Sequence, residues 1–113
     1  MAGDFQSLTG RKIAQAEILA TVSIAYTTPA NTRTYIKDIT VANTTGGGVD
    51  ASVYIVPKGG AASTANALIY TSTIATKAYL HWTGLQITDP GDTIQVLGSG
   101  TGLTINISGA EAV

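Results

Sequence analysis

The sequence predicts an all-β chain. It reads as a single antiparallel β-sandwich of about eight strands, jelly-roll-like, over residues 12–113, preceded by an extended N-terminal arm over residues 1–11. Three observations carry this. At 113 residues the chain is the size of one domain. It holds 18 Thr and 5 Tyr with many Ile and Val, types that fit a pleated, half-buried surface, while the helix formers Glu, Lys and Arg are scarce. Short apolar runs recur every ~8–12 residues between turn signals, the spacing of a sandwich or barrel.

Taken in order, residues 1–10 have no hydrophobic period and contain Gly3 and Gly10, so they read as arm. Residues 12–19 form a strand; Ile13, Ala16 and Leu19 also fit helical spacing, but the segment is short and uncapped. Val22, Ile24 and Tyr26 alternate until Pro29 fixes φ and removes a donor. Residues 33–43 are the longest strand. Their apolar phase slips between Ile36 and Ile39, which places a β-bulge near Lys37-Asp38. Residues 43–48, with three consecutive glycines, read as a hairpin turn into the alternating Val49, Ala51, Val53 and Ile55, which Pro57 ends. Residues 58–66 are a loop of small residues. Strands follow over 67–74, 78–82 and 84–88, and Asp89-Pro90-Gly91-Asp92 is a strong turn signal. Residues 93–97 and 103–108 read as a hairpin across the glycines of 98–102. The alternating sets predict a core of Val22, Ile24, Val53, Ile55, Leu80, Trp82, Ile94, Val96, Leu103, Ile105 and Ile107.

The composition excludes several function classes. Charged residues are 12% of the chain and the net charge is −1, so a polyanion binder working by bulk electrostatics is ruled out, and no nucleic-acid partner is expected. The same scarcity of charge points to a surface that faces other protein. There is no cysteine, which removes disulfides, thiolate zinc sites and thiol nucleophiles. The N-terminus lacks the basic region and apolar run of a signal peptide, and no stretch approaches ~18 apolar residues, so no membrane partner is expected.

No catalytic constellation is legible. The one histidine, His81, has no second histidine or cysteine to complete a metal site and reads as a strand-surface or interface residue. Asp89 and Asp92 flank one turn, where capping of the turn's own backbone is the commoner role than holding Ca²⁺. Gly46-Gly47-Gly48 lacks the Lys-Ser/Thr of a phosphate cradle. The sequons at Asn43 and Asn106 read as chance in so Thr-rich a chain. No catalytic residue, cofactor or metal ligand is therefore expected. The candidate interface residues are Phe5, Leu8 and Arg11 of the arm, Lys12 at its junction, Tyr35 and His81.

A set of segments occurs in a telling order: Tyr26-Thr27-Thr28-Pro29-Ala30-Asn31-Thr32, Ile36-Lys37-Asp38-Ile39, Asn43-Thr44-Thr45, Val53-Tyr54-Ile55-Val56-Pro57-Lys58-Gly59-Gly60, Leu80-His81-Trp82-Thr83-Gly84-Leu85, Pro90-Gly91-Asp92-Thr93-Ile94-Gln95 and Ile105-Asn106-Ile107-Ser108-Gly109-Ala110-Glu111. From Lys12 to Val113 the chain resembles the small all-β virion proteins of tailed bacteriophages, placed on the head as decoration or cement proteins, or at the tail. The resemblance implies a non-enzymatic particle component on the virion surface, with the phage's major capsid protein as partner. It also implies, by analogy with three-fold positions on such particles, a homotrimer. The alternative it leaves open is a tail or fibre-associated module binding a host-surface glycan.

Overall fold

A computed structural model describes Leu8–Val113. The strands are β1 (Leu8–Ile18), β2 (Ser23–Thr27), β3 (Arg33–Asn43), β4 (Val49–Val56), β5 (Ala67–Ile74), β6 (Tyr79–Thr88), β7 (Thr93–Gly98) and β8 (Leu103–Ala112), with one 3₁₀ turn at Thr64–Asn66. They form two four-stranded sheets, a first in the order β1-β8-β3-β6 and a second in the order β2-β7-β4-β5. Every pairing is antiparallel: β1 lies on β8, β2 on β7, β3 on β6 and β4 on β5. The chain is thus one long hairpin rolled over itself, the jelly-roll arrangement. No helix in the described residues is long and apolar enough to cross a membrane.

The rolled topology changes two local readings. β7 and β8 belong to different sheets, so residues 98–102 cross the sandwich and are not a hairpin turn. The glycine run after Asn43 likewise carries the chain from the first sheet to the second. Only the β4–β5 connection stays within one sheet. Hairpin grammar is a local signal, whereas the decision to cross is made by which sheet each strand can bury its apolar face in. Two further differences are smaller. Residues 78–82 and 84–88 form the single strand β6, and residues 8–11, read as arm, are the first residues of β1 paired to β8. Residues 1–7, including Phe5, lie outside the described residues.

The core sits between the sheets. Ile36, Ile39 and Val41 of β3 are fully buried against Val53, Ile94 and Val96 of the second sheet, with Leu103, Ile105 and Ile107 of β8 beside them. Six of the expected core residues are there. Ile55, Leu80 and Trp82 point inward but are half-buried, the last two because β6 is an edge strand with one flank open. Val22 and Ile24 are exposed, at 49% and 59%. Val22 precedes the strand, and a register shift at Ala25 breaks the alternation, so that Ile24 pairs with outward Gln95 while Tyr26 pairs with inward Ile94. A period of two identifies a strand but does not say which phase faces the core.

The bulge expected at Lys37-Asp38 is present in both pairings of β3. Against β8, Ile36 and Asp38 face the adjacent Gly109 and Ser108, so Lys37 is the extra residue. Against β6, the single Lys37 faces two residues, Gly84 and Leu85, between Thr83 and Gln86. This distortion brings the Tyr35 carbonyl oxygen onto Gly109, where a β-carbon would collide with it.

Candidate interaction surface

The outward side of the first sheet collects most of the residues singled out in the sequence. One register row runs Gly10, Ala110, Tyr35 and Ile87 across all four strands. Leu8, Tyr35, Lys37, Leu85 and Ala110 line an open concavity of about 410 Å³ at this end of the face. Ala110 of β8 and Tyr35 of β3 lie across its middle, between Leu8 on β1 and Leu85 on β6. Leu8 is 64% exposed, Leu85 51% and Ile87 48%. The bulge shapes the site: Lys37 lines the concavity and the next residue, Asp38, also reaches the outer face, where its carboxylate meets His81.

Further along the same face, Asp38 Oδ2 and His81 Nε2 share a hydrogen bond of 2.8 Å, and the Thr40 hydroxyl donates to Asp38 Oδ1 at 3.4 Å. Both side chains of the pair are more than two-fifths exposed, on an open sheet surface and not in a pocket. Such exposed pairs contribute about 0–1 kcal/mol. Among the described residues no three His, Cys, Asp or Glu side chains cluster as a metal ion would need. Lys12 is exposed, its ammonium donating to the Gln15 side chain at 3.0 Å.

Arg11 does not join this face. It pairs with Glu111 at 3.2 Å, and the second Glu111 oxygen accepts a 2.6 Å hydrogen bond from the Tyr26 hydroxyl, which also meets Thr34 Oγ1 at 2.8 Å. This network ties β1, β2, β3 and β8 together at one end of the sandwich. Burial, and then the hydrogen bond to Glu111, push the Tyr26 phenol up from 10.0 to about 12. Because the folded protein holds this proton more tightly than the unfolded chain, the contribution is intact below pH 10 and is lost as pH rises from about 10 to about 12. In an alkaline absorbance titration one of the five tyrosines should ionise late, and Tyr26→Phe should remove that late step.

The other polar motifs serve the fold. Asp92 accepts from the backbone N–H of Asp89 at 2.9 Å and of Lys58 at 3.0 Å, while Asp89 pairs with Arg33 at 3.2 Å. The Asp92 carboxylate thus caps the backbone of the turn, and the Asp89 carboxylate forms an exposed ion pair. Asn43 is 2% exposed, its amide buried among the crossing loops, so it is no glycosylation acceptor. Sequence reasoning placed Leu8, Lys12, Tyr35 and His81 on the candidate surface and missed Lys37, Leu85 and Ile87. The available signal was the period of β6 itself: with Leu80 and Trp82 turned to the core, the odd-numbered positions His81, Leu85 and Ile87 face outward.

No protein-family model matches the chain, and no curated protein matches its sequence. Among solved structures, a chain from Bacillus endospore appendages, described as disulfide-linked pili, aligns with a TM-score of 0.53 and 18% identity over 100% of this chain and 95% of that one. Chains of infectious bursal disease virus, strains Gx and Gt, align with TM-scores of 0.48 and identities of 10% and 8%. They cover 94% of this chain and 32% of their own length, so this chain spans about a third of them. At the level of fold, the chain is similar over its whole length to the endospore appendage protein.

Proposed function

We propose that this protein is a non-enzymatic structural subunit, a decoration protein that binds and stabilises the assembled head of a tailed phage. The observation that carries the reading is the surface itself. Leu8, Ile24, Leu85 and Ile87 are each about half exposed or more, on a chain with only 12% charged residues. Apolar groups of that size on a weakly charged surface mark contacts with other protein. The polar groups, by contrast, are spent on caps and strand ties. The mechanism is burial without chemistry: about 25 cal/mol per Å² of apolar area covered, less the cost of association, repeated over many identical sites. The test is to image phage particles that carry the gene and to delete it. Jelly-roll density on the head, and loss of DNA from the deleted heads at a lower temperature, support the reading; particles that lack the protein overturn it.

The likeness to the endospore appendage protein supports a second reading, a filament subunit. With no cysteine, such a filament would be held without disulfides. Negative-stain microscopy of the purified protein separates the two: filaments formed by the protein alone favour the second, and binding only to heads the first.

A further inference from the structure

We propose that the chain's own N-terminal segment folds back over the outer face of the β1-β8-β3-β6 sheet and fills the concavity there, with the Phe5 ring between Leu8 and Leu85 and the Asp4 carboxylate on the Lys37 ammonium. The chemistry of the concavity selects such an occupant. Four of its five lining residues are Leu8, Tyr35, Leu85 and Ala110, and the fifth is the exposed Lys37. Among the described residues no carboxylate pairs with Lys37, because the adjacent Asp38 meets His81, Glu111 meets Arg11 and Asp89 meets Arg33. An apolar hollow with a single cation on its wall takes an apolar group that carries an anion beside it.

The chain holds that pair of groups next to the site. It enters the described structure at Leu8, which is itself a wall of the concavity. Phe5, the single phenylalanine of the sequence, stands three residues before Leu8, and Asp4 adjoins it. A β-turn over Phe5-Gln6-Ser7-Leu8 sets the α-carbons of Phe5 and Leu8 within about 7 Å of each other. Leu8 is already fixed by its pairing with Ala112, so only Gln6 and Ser7 need ordering between it and the ring, and the entropy cost is small. The site has room for a ring. Gly10 and Ala110 are paired across β1 and β8 and bring at most one methyl to the space between Leu8 and Tyr35. Phe5 then meets the Tyr35 ring at about the 4.5–7 Å separation that aromatic pairs prefer. Ile87 does not line the concavity and Ile24 lies on the opposite sheet, so both stay exposed for a larger partner. This inference does not depend on the phage reading, because it concerns the protein in isolation.

The test uses the full chain and two readouts. Chymotrypsin cuts after phenylalanine, and mass spectrometry separates release of residues 1–5 from cuts elsewhere. The docked segment withholds the Phe5–Gln6 bond, so the rate of this cut follows the undocked fraction. Leu85→Glu, at a half-exposed site, sets a carboxylate in the hollow and should speed the cut roughly tenfold, with the melting temperature of the parent. Asp4→Lys should speed it about two- to fivefold, and adding Lys37→Asp should slow it again by the same factor. Those two variants have the same cleavage sequence, so their difference reports the Asp4–Lys37 contact alone, whatever Leu85→Glu does to the fold. The second readout is nuclear magnetic resonance with ring-labelled phenylalanine, in which Phe5 protons should show Overhauser contacts to the Leu85 and Ala110 methyl groups. Equal cutting of the parent and all three variants, or a Phe5 ring without those contacts, overturns the proposal. So do contacts that arise between labelled and unlabelled molecules in a mixture, which assign the concavity to the segment of another copy.

Discussion

Gly109→Val is expected to unfold the protein or to lower its melting temperature by about 12 °C or more. At Gly109 a β-carbon would collide with the Tyr35 carbonyl oxygen, and the same position faces the Tyr35 carbonyl carbon at 3.0 Å and the Ile36 α-carbon at 3.3 Å. These neighbours are backbone in the centre of the first sheet, so they yield only if β3 and β8 separate. Overpacking of this kind costs about 3 kcal/mol, and each kcal/mol is worth about 4 °C in a domain of this size. Gly47→Ala is the matched control. Nothing lies within 4 Å of the added methyl, and Gly47 is not among the positive-φ glycines. That variant should melt at or slightly above the parent temperature, by up to about 1 kcal/mol, because alanine restricts the unfolded chain. A Gly109→Val protein that melts with the parent would refute the account of the bulge given above.

Asn43 is the second sensitive position. It ends β3 at the point where the chain leaves the first sheet, and it is 2% exposed. Its Nδ2 donates to the carbonyls of Gly47 and Ile74 at 2.8 Å and of Ala75 at 3.2 Å. Its Oδ1 accepts from the Thr45 N–H at 2.9 Å and the Thr45 hydroxyl at 2.7 Å. One side chain thus joins the β3–β4 crossing to the β5–β6 crossing. Asn43→Ala should cost about 3 kcal/mol in chemical denaturation, since each buried group left without a partner costs about 1–3 kcal/mol. Asn43→Asp makes a sharper test. A carboxylate there faces three carbonyl oxygens and cannot donate to them, so the folded state favours the protonated acid and holds its pKa above the unfolded value of ~3.9. Stability relative to the parent is then best below about pH 4 and falls as pH rises through the folded pKa. A deficit that stays constant from pH 3 to pH 8 would show that the amide does not donate as described.

Much of the architecture was legible from the chain alone because it is written in local terms. Thr, Ile and Val in alternation declare strands, and Pro29, Pro57 and Asp89-Pro90-Gly91-Asp92 end them. The phase slip between Ile36 and Ile39 placed a bulge near Lys37-Asp38, since an extra residue must shift the apolar period by one, and the pairing with β8 identifies Lys37 as that residue. The low charge and missing cysteine excluded whole classes of chemistry before any coordinate was known. Three decisions were left to tertiary structure. Which phase of an edge strand faces inward depends on its partner's register, and so Ile24 is on the surface while Tyr26 points in. Whether a glycine-rich connection turns back or crosses over depends on which sheet has an open place for the next strand, and so residues 98–102 cross. The candidate surface was the least legible. Leu8, Tyr35, Leu85 and Ala110 are scattered along the chain and become neighbours only when β8 inserts between β1 and β3. That insertion is a contact between the two ends of a rolled hairpin, and no local pattern in the sequence records it.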